Sequence, residues 1–249
     1  MGLLFLHGLP GTGRQWTDVA AAFPAFQMLT PTFDGFENAG PQASFPSTEE
    51  HARNIVEWCA GSEDDTILVA WSFACHPLLF AMARFGFAPA RAILIEPSGD
   101  SYLKPVDREA FGRDAAAAFE KLFLFHETAD NETLARLSFE ATGSETAWTT
   151  LPATRRSPFV RSAAALRRAF RSAVTPSRID ADELARIRTP IDILVGSDTR
   201  TMFSIAARAL AQTLPNAHLH VVAGADHLWP VTAQNELAAF LQHLIEEDA

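Results

Sequence analysis

Three residues with complementary chemistry stand at the ends of apolar runs: Ser72, Asp198 and His227. Serine is a weak nucleophile until a base takes its proton, histidine is the base suited to neutral pH, and a carboxylate fixes the tautomer and steadies the charged ring. Ser72 follows the run 66–71, and a helical pattern starts at once. A serine on such a strand-to-helix turn projects its Oγ above the sheet, where the helix N-terminus favours developing negative charge. The turn is tight, so the residues two before and two after must be small. Ala70 and Ala74 stand there, where glycine is the more usual choice. Asp198 closes Val195-Gly196-Ser197-Asp198, and His227 closes Ala223-Gly224-Ala225-Asp226-His227. Taken singly, Ser72 could cap a buried helix, Asp198 could cap a helix before Thr201, and His227 could be an ordinary loop histidine. At three strand ends, in the order serine, acid, histidine, they read as a catalytic triad. His7-Gly8-Leu9-Pro10-Gly11 ends the first run. The backbone N–H groups of Leu9 and Phe73 are the expected oxyanion hole, with Pro10 holding Leu9 extended.

The elements that must position these residues follow from apolar periodicity. Continuous runs at 2–7, 26–31, 66–71, 92–96, 191–195 and 218–222 read as strands buried on both faces. Helical spacing appears after the N-cap Ser47, with Ala52, Ile55, Val56 and Cys59, again over 73–85, and at Leu237, Phe240, Leu241, Leu244 and Ile245. Strand–helix alternation predicts an α/β fold with a mostly parallel sheet of about six strands flanked by helices. One segment breaks the rhythm. Residues 101–177 show no strand, only helical stretches near 106–125, 132–141 and 159–174, punctuated by Gly143, Pro152 and Pro158. A structureless loop of that length would be unusual, so this is a helical cap, or lid, inserted between core parts 1–100 and 178–249 of one catalytic unit.

These motifs resemble the α/β-hydrolase fold family over nearly the whole chain. The resemblance rests on the His7–Gly11 turn, Ser72 in its elbow, Gly196-Ser197-Asp198 and Asp226-His227. It is nearest to the compact group of esterases, hydroxynitrile lyases and carbon–carbon hydrolases. It implies that the first strand here is the family's third, that the cap lies between the family's sixth and seventh strands, and that His7 is a structural histidine. Epoxide hydrolases and haloalkane dehalogenases share the His-Gly-x-Pro turn but use an aspartate where Ser72 stands. A few family members carry the triad acid at the end of the fourth run, here Glu96 or Asp100; Asp198 is preferred.

Other residues are weighed against blander roles. Cys75 and His76 read as buried helix residues, and Asp34 as a turn-fixing residue. Arg155, Arg156, Arg161, Arg167, Arg168 and Arg171 could receive a carboxylate but read first as a solvated helix face. Trp71, Phe123, Trp148, Phe159 and Trp229 are the candidate substrate-pocket residues; Phe125 and Phe139 could also line a pocket or form the cap's own core.

Composition narrows the function. The 249 residues are 48% hydrophobic and 20% charged, a globular mix rather than a disordered one. Twenty basic against thirty acidic side chains give a net charge of −10, which argues against nucleic acid and anionic membranes as partners. Two cysteines cannot make a disulfide framework or a zinc site and suit a reducing cytoplasm. The apolar start lacks the marks of a signal peptide, and Leu6 stands where myristoylation wants Ser or Thr. The expectation is a cytoplasmic serine hydrolase, monomer or homodimer, without membrane insertion, metal or organic cofactor. It would cleave a carboxylic ester or thioester of a small to medium, mostly apolar substrate. Carbon–carbon cleavage by the same triad, and a non-catalytic ligand-binding role, are the alternatives.

Overall fold

In the computed structural model, all residues are described except 38, 41, 145, 173, 174 and 247–249. The strands are β1 (Gly2–Leu6), β2 (Gln27–Leu29), β3 (Thr66–Trp71), β4 (Arg91–Ile95), β5 (Ile191–Gly196) and β6 (Ala217–Val222). They form one fully parallel sheet in the order β2-β1-β3-β4-β5-β6. Side chains alternate across the pleat. Leu3, Phe5, Ile67, Val69, Trp71, Ile93 and Ile95 feed one core cluster, and Leu4, Leu6, Leu68, Ala70, Ala92 and Leu94 feed the other. The expectation of strands buried on both faces holds for the inner ones. β2 and β6 are edges with partly exposed side chains, because an edge strand has a neighbour on one side only.

The helices are α1 (Thr17–Ala20), α2 (Thr48–Trp58), α3 (Cys75–Phe85), α4 (Pro105–Phe125), α5 (Asn131–Thr142), α6 (Ala147–Thr150), α7 (Ala153–Arg171), α8 (Ala181–Leu184), α9 (Thr201–Thr213), α10 (Trp229–Thr232) and α11 (Gln234–Glu246). α2 starts in a capping box between Ser47 and Glu50, worth about 1 kcal/mol. α3 stops at Gly86, whose φ of 67° suits a residue without Cβ. The 101–177 segment is helical, as its pattern predicts. Pro158, expected to break a helix, instead lies inside α7, which begins at Ala153 rather than 159. The expected end at Val174 lies outside the described residues; α7 is seen to Arg171. Among the described residues no helix is long and apolar enough to cross a membrane.

Candidate active site

β3 and β4 pair with Trp71 opposite Ile95. The next residue on each strand, Ser72 and Glu96, therefore leaves the sheet at the same level. Both have left-handed backbones, with φ of 54° and 52°. Such a conformation is costly for a residue with Cβ and marks a turn held by its surroundings. Ala70 and Ala74 are fully buried beside the serine turn, so the elbow forms with alanine at both flanks. A short 3-10 turn from Ser72 to Ala74 leads into α3. The Phe73 N–H lies in that first turn, where backbone donors lack an intrahelical acceptor.

Glu96 is fully buried and turns its carboxylate toward the β5 and β6 loops. Its Oε1 accepts the Gly196 N–H at 2.6 Å. Its Oε2 accepts the Thr199 hydroxyl at 2.6 Å and lies 3.4 Å from Nδ1 of His227. His227 is 3% exposed. Its ring stacks on Phe203 at 3.7 Å between centroids, 17° from parallel. Its carbonyl accepts the Trp71 indole N–H at 3.1 Å, which ties the histidine loop to the residue before Ser72.

Asp198, the acid expected from the sequence, is not beside the imidazole. It is exposed, its Oδ1 accepts the Ser197 hydroxyl at 2.8 Å, and its N–H donates to Ala225 O at 2.9 Å. The cause is the close approach of the β5 and β6 loops. A Cβ on Gly196 would lie 2.0 Å from Ala225 O, so the backbones pack face to face and the Asp198 side chain turns outward. The fourth-strand position, ranked behind it, supplies the carboxylate instead. Asp100, the other acid there, is exposed.

Leu9, Ser72 and Phe73 line one cavity of about 650 Å³, within the usual range for small-molecule sites. Its apolar wall comes from the cap and α9, with Phe111, Phe119, Leu122, Leu166, Phe170, Met202 and Phe203; Thr48, His51, His76 and Ser177 line a polar side. The Leu9–Pro10 peptide is cis. A Cβ on Gly8 would press on the Trp71 ring at 3.0 Å, so glycine lets this loop lie over the serine strand.

None of the five expected pocket residues reaches this cavity. Trp71, Trp148, Phe159 and Trp229 are at most 3% exposed. Trp148 and Phe159 pack on Phe139, Phe159 also meets Trp71, and Trp229 meets Phe240. Phe159 also lines a second crevice of about 250 Å³. Phe123 is 56% exposed and packs on Phe170. The six cap arginines are occupied elsewhere. Arg155 and Arg161 face Asp18 and Glu37 at 3.1 and 3.8 Å. Arg156 lies over Trp148, Arg167 and Arg168 donate to backbone carbonyls, and Arg171 pairs with Glu127.

Four further residues have defined surroundings. His7 is buried with Nε2 accepting the Phe33 N–H at 3.0 Å, so Nδ1 carries the proton toward Gly8 O at 2.9 Å. Burial lowers its pKa to about 4. His76 bonds Ser177 O at 2.8 Å, and burial lowers its pKa. Burial raises the Cys75 thiol pKa, keeping it undissociated behind the elbow. Asp34 accepts from Asn54 at 3.0 Å and fixes its loop.

A family profile described as the alpha/beta hydrolase family matches residues 3–240. The chain belongs to the alpha/beta hydrolase family. Solved structures agree on the hydrolase fold. MenH from S. aureus superposes with a TM-score of 0.76 at 18% identity, over 99% of this chain and 94% of that one. An esterase, RhEst1, from Rhodococcus sp. ECU1013 gives 0.72 at 17%, over 99% and 90%. A bromoperoxidase from Bacillus anthracis gives 0.71 at 15%, over 99% and 92%. No curated protein matches. In this hydrolase chain Ser72 directly follows β3 and lines the cavity, while His227 lies on the loop after β6 and stacks on Phe203, another residue of the cavity lining. The Phe203 stack and the Thr199 donor carried no readable signal.

Proposed function

We propose that this protein is a serine hydrolase that cleaves a carboxylic ester or thioester through an acyl-enzyme on Ser72. The reading is carried by the buried Glu96–His227 pair, tied through Trp71 to the strained serine turn. With Nδ1 turned to Glu96, Nε2 is the ring atom left to take the Ser72 proton. Ser72 Oγ then attacks the substrate carbonyl. The oxyanion is held by the N–H groups of Leu9 and Phe73, each such donor being worth ~3 kcal/mol of barrier. The imidazolium returns its proton to the leaving alcohol or thiol, and water repeats the sequence to free the acid. Glu96 orients the ring and balances its charge; Asp198 takes no part. The apolar wall suits an apolar acyl group, while Asp100 and Arg178 also line the cavity. That RhEst1 is described as an esterase is consistent with this reading. The carbon–carbon alternative drew its support from Trp229 and the cap arginines, none of which lines the cavity.

Intact-mass analysis after fluorophosphonate treatment tests it. Wild type is expected to gain one adduct, Ser72→Ala none, and wild type alone to turn over p-nitrophenyl esters. A folded wild type that neither a fluorophosphonate nor a small sulfonyl fluoride modifies would overturn the reading and favour a ligand-binding protein.

A further inference from the structure

Thr199 stands one residue beyond the acid that the sequence nominates, on the loop after β5. Its hydroxyl donates to Glu96 Oε2 at 2.6 Å, and that same oxygen faces His227 Nδ1 at 3.4 Å. The other carboxylate oxygen is held by the Gly196 N–H. The end of β5 and the loop after it thus supply two donors to a carboxylate that hangs from β4. Glu96 is fully buried. A glutamate has one more rotatable bond than an aspartate, so a lone backbone donor would leave Oε2 free to swing out of line with the imidazole. An ionised buried carboxylate also needs its lone pairs matched. Among the described residues three donors reach Glu96, from Gly196 at the end of β5, from Thr199 on the loop after it and from His227 on the loop after β6. Cys75 also faces Glu96, and it stays neutral.

Resting on the triad reading above, we propose that Thr199 is a positioning residue that fixes the Glu96 oxygen against which His227 is aligned. It does not line the cavity. It acts by holding Oε2 in one place and by sharing that oxygen's negative charge with the imidazole N–H. Removing the hydroxyl frees the carboxylate to rotate and leaves the imidazole N–H alone opposite the charge of Oε2.

The test compares wild type, Thr199→Val, Thr199→Ser and Glu96→Gln in three measurements. These are the fluorophosphonate inactivation rate across pH, the melting temperature, and the downfield proton resonance of His227 Nδ1–H. Thr199→Val is expected to melt near wild type, to react about tenfold more slowly, and to move the acid limb of its profile to higher pH. Thr199→Ser should restore both rate and profile. The resonance should shift in the valine variant and return in the serine variant. A valine variant with the wild-type rate, profile and resonance overturns the inference. So does a slow valine variant that serine fails to rescue, since that marks a purely structural role. Failure of the underlying reading looks different: wild type does not react, or Glu96→Gln reacts like wild type. The resonance then still reports on Thr199, because it needs no reactive serine.

Discussion

Glu96 shares with Ser72 a backbone conformation that few side chains adopt, at the same register on the neighbouring strand. Strain of this kind costs about 1–3 kcal/mol per residue, and here it aims two side chains from adjacent strand ends into one space. Substituting the two candidate acids separates their roles. Glu96→Gln keeps the shape but removes the charge that steadies the imidazolium, and a neutral amide in a triad lowers kcat by up to about 10⁴-fold. Labelling or ester turnover should drop at least 100-fold, whereas Asp198→Asn should stay within about threefold of wild type. Equal losses from both would sink the assignment. The sequence placed carboxylates at both strand ends and favoured Asp198, whereas the outcome depends on how the β5 and β6 loops pack. Gly196 against Ala225 O decides it, and contacts between loops separated in sequence leave no periodic trace.

His7 carries a prediction of a different kind. Its ring accepts from Phe33 N–H only when neutral, and its pKa falls from 6.5 to about 4 on folding. Between those values the unfolded chain binds a proton that the native state refuses. The stability due to His7 is complete above pH 6.5 and is lost as pH falls toward 4, by roughly 3 kcal/mol in all. His51 and His76 are shifted in the same direction by burial, so they steepen the slope. Urea melts from pH 7.5 to 4 should show this loss, and His7→Gln should flatten it in part. An unchanged slope in the variant would remove His7 as a cause.

At the scale of elements, α4 was predicted from its apolar content, but which side faces the cavity was not. Phe111, Ala115 and Phe119 recur every fourth residue and line the cavity together with Leu122. Phe123 continues the count, but four residues overshoot a 3.6-residue turn, so it drifts off the face that Leu122 keeps. Asp114 anchors α4 to the start of α9 by accepting from Arg200 at 2.6 Å and from the Met202 N–H at 3.0 Å. Ala115 is the small member of the stripe, so Ala115→Trp should fill part of the cavity without disturbing the core behind it. Across p-nitrophenyl esters of rising chain length, kcat/KM for long chains should fall at least tenfold, about the discrimination a pocket gives for one or two methylenes. Acetate should change little. A uniform loss at all lengths would mean that α4 does not bound the acyl site. The edge strands β2 and β6 fit the same lesson: their apolar runs match buried strands, and only sheet order reveals that one side is open.

At the scale of the molecule, the helices of segment 101–177 share the hydrophobic interior with the sheet. Phe139 and Phe159 belong to the same buried cluster as Phe5 and Trp71 of the sheet. The Phe159 ring meets Trp71 edge-on at 6.5 Å and Phe139 at 4.9 Å. Lifting α7 away as a rigid body would expose these rings, and burying an aromatic side chain is worth about 1.5–3 kcal/mol each. Cap and sheet should therefore unfold together. Calorimetry is expected to give one transition whose van't Hoff and calorimetric enthalpies agree. Phe159→Ala opens a cavity between cap and sheet and should cost about 3–5 kcal/mol while keeping the transition single. Because Trp71 precedes Ser72, the same change should also slow fluorophosphonate labelling of the protein that remains folded. Two resolved transitions, with the substitution lowering only one, would show instead that the cap folds and opens by itself.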